Sequence, residues 1–129
     1  MEEKTETVSC NDKNCCIHGG IPCRGRSFTG VVTSARMHKT VTIEFGRLFY
    51  LPKFERYEKR KTKLKAHNPG CINAKEGDIV KVRETRPLSK TKNFVIVEKL
   101  GKERGFQERM EALAESKTKK AEEEAEAQA

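Results

Sequence analysis

An all-β fold, a small barrel of five short strands, is what this sequence predicts, and three observations carry that reading. β-Branched and aromatic runs recur at short spacing through residues 26–100, Gly, Pro and Asn punctuate them, and no stretch among them shows the 3.6-residue apolar period of a helix. Arg26 to Ser34 (RSFTGVVTS) is the first strand, and Gly30 inside it marks a bulge or the sharp bend that a closed barrel needs. Lys39 to Phe45 (KTVTIEF) is the second, with Val41, Ile43 and Phe45 on one face and Thr42 and Glu44 on the other. These two pair as a hairpin through Ala35 to His38. A weak third strand, Arg47 to Leu51, leads into a long polar segment, Pro52 to Ala66, which ends at Asn68-Pro69-Gly70. After the turn Glu76-Gly77-Asp78, Asp78 to Thr85 (DIVKVRET) is the fourth strand and Phe94 to Leu100 the fifth.

Five strands with the longest interruption after the third fit a small antiparallel barrel of the oligonucleotide-binding (OB) type; an open sandwich fits the pattern nearly as well. Around this domain, residues 25–100, the sequence places an irregular N-terminal arm carrying Cys and His (1–24) and a short C-terminal helix and charged tail (101–129). Phe106, Met110 and Leu113 fall at i, i+4 and i+7, one apolar stripe expected to dock on the barrel. From Ser116 onward Lys, Ala and Glu offer no apolar face, which reads as a frayed helix or disordered tail. The barrel's own apolar faces are narrow, so a domain of this size is marginal without a partner or a staple.

Charge points to the partner. Hydrophobic residues make up 35% of the 129 and charged residues 36%, with no Trp and a net charge of +8. Residues 1–19 carry net −2 and residues 106–129 net −3, which leaves +13 on residues 20–105. A domain with that excess repels itself unless a polyanion supplies counter-charge, and nucleic acid is the expected one. No run approaches the ~20 apolar residues of a membrane span. The Glu-rich N-terminus lacks the apolar stretch of a signal peptide, so the expectation is a soluble, cytoplasmic chain with no membrane partner.

Two segments concentrate the cations. Lys53 to Lys65 (KFERYEKRKTKLK) holds seven: Lys53, Arg56, Lys59, Arg60, Lys61, Lys63 and Lys65. If Lys59 to Lys65 is extended, Lys59, Lys61, Lys63 and Lys65 share one face, a row that can track a phosphate backbone, while Arg60, Thr62 and Leu64 take the other. The alternative is a helix with a solvated charged face. Tyr57 can stack on a base, but beside Phe54 it reads first as part of a local core. The second segment, Arg86 to Lys92 (RPLSKTK), lies between the last two strands. Pro87 biases Arg86 toward extended geometry and ends strand pairing there, so Arg86, Lys90 and Lys92 project toward anionic oxygens with Ser89 and Thr91 as hydroxyl donors. A plain solvated turn is the alternative, and the basic surroundings argue against it.

These residues also carry a resemblance. GRSFTGVVTSARMHKTVTIE, the charged YEKRKTKLKAHNP and EGDIVKVRETRPLSKTKNFVIVE together resemble the family of the seventeenth small-subunit ribosomal protein, over roughly residues 15–100. HNPGCINAKEGD and the CxxH element near the N-terminus resemble its archaeal and eukaryotic branch, and the chain is read as archaeal-like. The resemblance implies a five-stranded OB barrel that binds the 5′ domain of small-subunit rRNA and supports its folding during early assembly. It also implies neighbouring ribosomal proteins as partners, a place in the small ribosomal subunit of the cytoplasm, and no small-molecule substrate. Carried over by residue, rRNA contacts would come from Arg24 and Arg26 at strand one and from Arg36 and Lys39 in the first hairpin. Lys53, Arg56, Lys59, Arg60, Lys61, Lys63 and His67 would follow, with Arg86, Ser89, Lys90 and Lys92 in the last loop. The acidic tail after Glu103 departs from the family pattern.

Five cysteines pose a separate question. With an odd number and no export signal, disulfides are not expected. Cys10-x4-Cys15-x2-His18 has spacing compatible with zinc, and Cys71, in the loop after strand three, can supply a fourth ligand, with Cys16 and Cys23 as competing thiols. The other reading is that the cysteines are reduced and packed as small hydrophobes, and no cofactor is then required. There is no HExxH, P-loop or dinucleotide-binding glycine turn, so an enzyme is not expected. The alternatives to an rRNA-binding structural protein are a metal-binding regulatory module and a free-standing single-strand-binding OB protein. The latter would want exposed aromatics on strands two and three, where Thr42, Glu44 and Lys63 offer none.

Overall fold

The structure, a computed structural model, describes residues 10–127, with side chains through Lys119. Residues 1–9 of the expected arm and the last two of the tail lie outside the described residues. Five strands, β1 (Ser27–Met37), β2 (Thr40–Leu51), β3 (Arg56–His67), β4 (Asp78–Ser89) and β5 (Lys92–Lys102), precede one helix, α1 (Phe106–Ala127). The strands close into a barrel in the order β1-β2-β3-β5-β4, the OB-like arrangement.

Period-two alternation supplies its core. Val32, Val41, Ile43, Ala66, Val80, Val82 and Ile96 point inward and are buried, with Ala74 of the β3–β4 connection closing over them. Phe28 stacks on Phe45 at 5.0 Å and meets Phe94 edge-on at 5.8 Å, adding an aromatic layer to the core. Closure requires β1 to change partner. It pairs with β4 through Ser27 to Val31 and with β2 from Val31 to Met37. Gly30 sits at that switch, where a Cβ would stand 2.7 Å from the Ile43 side chain and 2.8 Å from the Glu44 carbonyl oxygen. Close approach is thus what requires glycine at position 30; no bulge falls there, and the register shifts of β1 against β2 lie further on, after Val32 and after Ser34.

Several boundaries differ from the sequence reading. Arg47 to Leu51 is no separate strand but the outer half of β2, and the third strand is the polar segment itself, β3. Pro52, which cannot donate to a ladder, opens a 3₁₀ turn (Pro52–Phe54), and Glu55, at φ 50°, returns the chain. The barrel is not wholly antiparallel: β3 and β5 run parallel, Lys65 opposite Lys92 and His67 opposite Val95. The first hairpin turns through His38 and Lys39 rather than Ala35 to His38. The RPLSKTK segment is not a free loop either. β4 runs on to Ser89, which pairs with Lys92 across a tight turn of Lys90 and Thr91. Regular pairing nonetheless breaks between Glu84 and Ser89, as Pro87 requires, and the Thr85 hydroxyl donates to the Arg86 carbonyl at 3.0 Å within that break.

The termini pack differently too. Only Phe106 of the expected stripe docks, its ring lying over Gly77; Met110 and Leu113 stay exposed. α1 continues as a helix through the segment read as frayed. The described part of the arm is not detached, since Cys15 and Ile21 are buried.

Candidate nucleic-acid interface and metal centre

Along β3 the side chains alternate as the extended reading required. Lys61, Lys63 and Lys65 are exposed, Thr62 and Leu64 half-buried, Ala66 buried. Glu44, opposite Lys63 on β2, lies 3.1 Å from the Lys61 ammonium and 3.8 Å from that of Lys63, holding both stems against the sheet. Exposed ion pairs of this kind are weak, so both ammonium groups remain available to a polyanion. At the end of the row the parallel pairing sets Lys65 beside Lys92, and the turn beyond Lys92 carries Lys90 and Ser89, both exposed. The two basic segments of the sequence thus form one track. Lys92 itself is half-buried and donates to the Thr40 hydroxyl at 3.1 Å, so it links the strands as well as contributing charge.

The other expected contacts divide. Arg24, Arg26, Arg36, Lys39, Lys53, Arg56, Lys59 and Arg86 are exposed. Arg36 and Lys39 line, with Lys75, an open cleft of about 750 Å³ between the first hairpin and the β3–β4 connection. Arg60 lies over the Phe49 ring at 4.2 Å and holds Glu58 at 2.7 Å. His67 is a correction: at 2% exposure it cannot reach phosphate, and its Nε2 bonds Asp12 at 2.9 Å. Burial lowers its pKa despite that carboxylate, so the ring's place is structural, anchoring the arm to the end of β3. Tyr57 is a second correction. It belongs to no local core: β2 and β3 stay paired out to Leu51 and Arg56, and Tyr57 stands 69% exposed beside Tyr50. Tyr50 and Leu48 were missed as surface groups; the signal was the continued β2 alternation past Gly46.

A cluster of Cys10, Cys15, His18 and Cys71 forms at the junction of arm and barrel, the four ligand atoms all within 4.8 Å of one another. Local turns build half of it. Asp12 accepts from the Cys15 N–H at 3.1 Å through its carbonyl and from the Asn14 N–H at 3.1 Å through its side chain, and the Gly19 N–H returns to the Cys15 carbonyl at 2.9 Å. Position 19 must be glycine, since a Cβ there would lie 2.5 Å from the Asp12 and Lys13 carbonyl oxygens. Asn68 builds the other half by clasping Ala74, its amide donating to the carbonyl and its oxygen accepting from the N–H, both at 3.0 Å, which presents Cys71. Cys15 Sγ then lies 3.6 Å from Cys71 Sγ and 3.7 Å from His18 Nδ1. A tetrahedral zinc with sulfur ligands at about 2.3 Å has edges of about 3.8 Å, so the residues fit the ion.

The electrostatics agree. Burial, then the neighbouring Cys15 and Cys10 thiols, push the Cys71 thiol up to about 12. Burial acts in the same sense on Cys10, but backbone hydrogen bonds at Asp12 and Cys71 outweigh it and lower that pKa. Sulfurs converging in this way resist ionising together unless a cation lies among them. Cys16 and Cys23 do not compete for the site, because they are joined to each other as a disulfide, contrary to the expectation that none forms.

A family model described as ribosomal protein S17 matches residues 30–98, from the β1 switch to the outer part of β5. The chain belongs to the ribosomal protein S17 family. It is 58% identical over 102 residues to small ribosomal subunit protein uS17 of Methanocaldococcus jannaschii, covering 79% of this chain and 87% of that protein. The proteins of the same name from Methanococcus vannielii (56% over 99 residues, 77% and 91% covered) and Methanoculleus marisnigri (53% over 91 residues, 70% and 84%) are similar as well. The S17 family match takes in the whole cation track and Cys71 but begins after Cys10, Cys15 and His18.

Proposed function

We propose that the protein is a structural constituent of the small ribosomal subunit that binds small-subunit rRNA, in its 5′ domain, and stabilises one fold of it. One observation carries the reading within this family: the outward row of β3 continues through the Lys65–Lys92 pairing to the β4–β5 turn, a single cationic track on a rigid sheet. Residues on paired strands cannot easily rearrange, so the track recognises the spacing of phosphates on a folded RNA rather than a base sequence. Arg24, Arg26, Arg36, Lys39, Lys53, Arg56, Lys59, Arg60, Lys61, Lys63, Arg86, Ser89, Lys90 and Lys92 remain the proposed contacts, and neighbouring ribosomal proteins the further partners. Residues 25–100 are proposed as the domain that carries RNA binding, with Arg24 contributing from the end of the arm. The test is affinity for a 5′-domain transcript against an unrelated folded RNA of equal length, across a salt series. Preferential binding with a steep salt slope is expected; equal affinity for both overturns the reading.

The same reading includes a structural zinc ion held by Cys10, Cys15, His18 and Cys71. Its place would be to tie the arm to the β3–β4 connection, supplying the staple that the narrow core lacks. Metal content of untagged protein by mass spectrometry should approach one equivalent of zinc, and less than about a tenth, where a structural site is nearly full, sinks the assignment.

A further inference from the structure

Beyond Phe45 and Thr62 the β2–β3 hairpin leaves the barrel. β1 pairs with β2 only as far as Glu44, and β5 meets β3 only from Lys65 on, so residues 46–61 form a ribbon of two strands with no third strand among the described residues. At about 3.3 Å per residue it projects roughly 20 Å. A free two-stranded ribbon is weak by itself, and apolar groups on it bury little. Yet Leu48, Tyr50, Phe54 and Tyr57 are 66%, 46%, 63% and 69% exposed.

Register sorts these side chains by face. Tyr50 lies directly opposite Tyr57, ring centroids 5.2 Å apart and tilted by 54°, and Leu48 lies opposite Lys59 on the same face. That face continues as Lys61, Lys63 and Lys65, so the aromatic pair stands at the outer end of the cation track. On the opposite face Phe49 is already covered by the Arg60 guanidinium. Charge selects the occupant: residues 46–61 hold six Lys or Arg against two Glu. The tyrosine pair is followed by Lys59 and Lys61 at alternate positions of β3, and exposed rings continued by cations in this way fit a chain that alternates flat bases with phosphates.

We propose that Tyr50 and Tyr57 form a stacking platform for unpaired RNA bases, with Lys59 and Lys61 holding the adjoining phosphates. This deepens the rRNA-binding reading and rests on it: the paired regions lie on the track, and an unpaired segment reaches the ribbon. The chemistry is sequence-tolerant, since every base presents a π face.

The chain contains two tyrosines and no tryptophan, so its intrinsic emission reports Tyr50 and Tyr57 alone. The full-length protein is titrated with single-stranded oligoadenylate and with an RNA duplex of equal length. Oligoadenylate should quench the tyrosine emission and the duplex should leave most of it. Y50A/Y57A should lose single-strand affinity by roughly tenfold or more while keeping duplex affinity, and Y50F/Y57F should restore it. Both rings lie outside the barrel, and an unchanged circular dichroism spectrum confirms that the variants fold. Oligoadenylate bound without quenching, or bound as tightly by Y50A/Y57A, overturns the platform while 5′-domain binding stands. Failure to bind the 5′-domain transcript removes both readings. A photocrosslinker at position 57 that joins to protein and not to RNA within the small subunit would put a protein neighbour on the pair and overturn the proposal.

Discussion

Two buried polar residues show how single side chains set the behaviour of this barrel. Asp78 is fully buried at the start of β4, where the Lys99 ammonium lies 2.7 Å from Oδ2 and the Lys75 N–H donates to the same oxygen at 2.7 Å, while Oδ1 has no partner among the described residues. Burial would raise its pKa, but those two donors prevail and hold it below the ordinary value. A carboxylate depressed in the folded state contributes stability that is complete above the unfolded pKa of about 3.9 and is lost as pH falls through the lower folded value. Denaturation followed from pH 7 to pH 2 should therefore show a loss confined to the acid limb. Asp78→Asn should cost about 1–3 kcal/mol at pH 7 and flatten that limb. His67 supplies the second case. Because its ring serves Asp12 and not phosphate, His67→Gln should lower stability by about 1–3 kcal/mol while leaving rRNA affinity within about twofold, read by denaturation and filter binding.

Among the elements, α1 is the one whose contribution is most unevenly distributed. Phe106 is 7% exposed against Gly77, and Arg109 grips Glu103 with two bonds of 2.7 and 2.8 Å, while the rest of its described surface touches little. Burying a phenylalanine is worth about 1.5–3 kcal/mol. Ending the chain after Arg104 should cost that much, whereas ending it after Ala114 should leave the melting transition unchanged. Neither truncation should weaken rRNA binding, since residues 106–129 carry net −3 and phosphate repels them. The helix stripe was only partly legible because i, i+4 spacing identifies a face without saying how much surface the barrel offers it. β3 was hidden for a related reason. KRKTKLK lacks the β-branched run that marks a strand, and its extended form is supplied by twelve cross-strand pairs with β2.

For the whole molecule, what matters is that the cation track is one surface. Replacing Arg86, Lys90 and Lys92 by Ala should weaken 5′-domain binding by ~1–3 kcal/mol per well-placed cation and reduce the salt slope by about 1 for each phosphate no longer neutralised. Lys92 also anchors Thr40, so the slope should change less at that position than at the exposed Arg86 and Lys90. Unchanged affinity and slope would make the β4–β5 turn a turn and nothing more.

From the residues alone came the strands whose inward faces alternate (Val41, Ile43; Val80, Val82), the segregation of charge onto the middle of the chain, and the Cys10, Cys15, His18 and Cys71 quartet. Each of these is a matter of local period, composition or spacing, except for the reach of Cys71, which the Asn68 clasp then delivers. Tertiary structure decided the rest. It made β3 parallel to β5, and so joined two basic segments that lie far apart in the chain into one track. It withdrew His67 into the junction with Asp12, paired Cys16 with Cys23, and left Tyr50 and Tyr57 in solvent on a ribbon that no third strand among the described residues covers. Alternation along a strand is set by its own backbone, but what lies across from it, and whether anything does, is set only when the barrel closes.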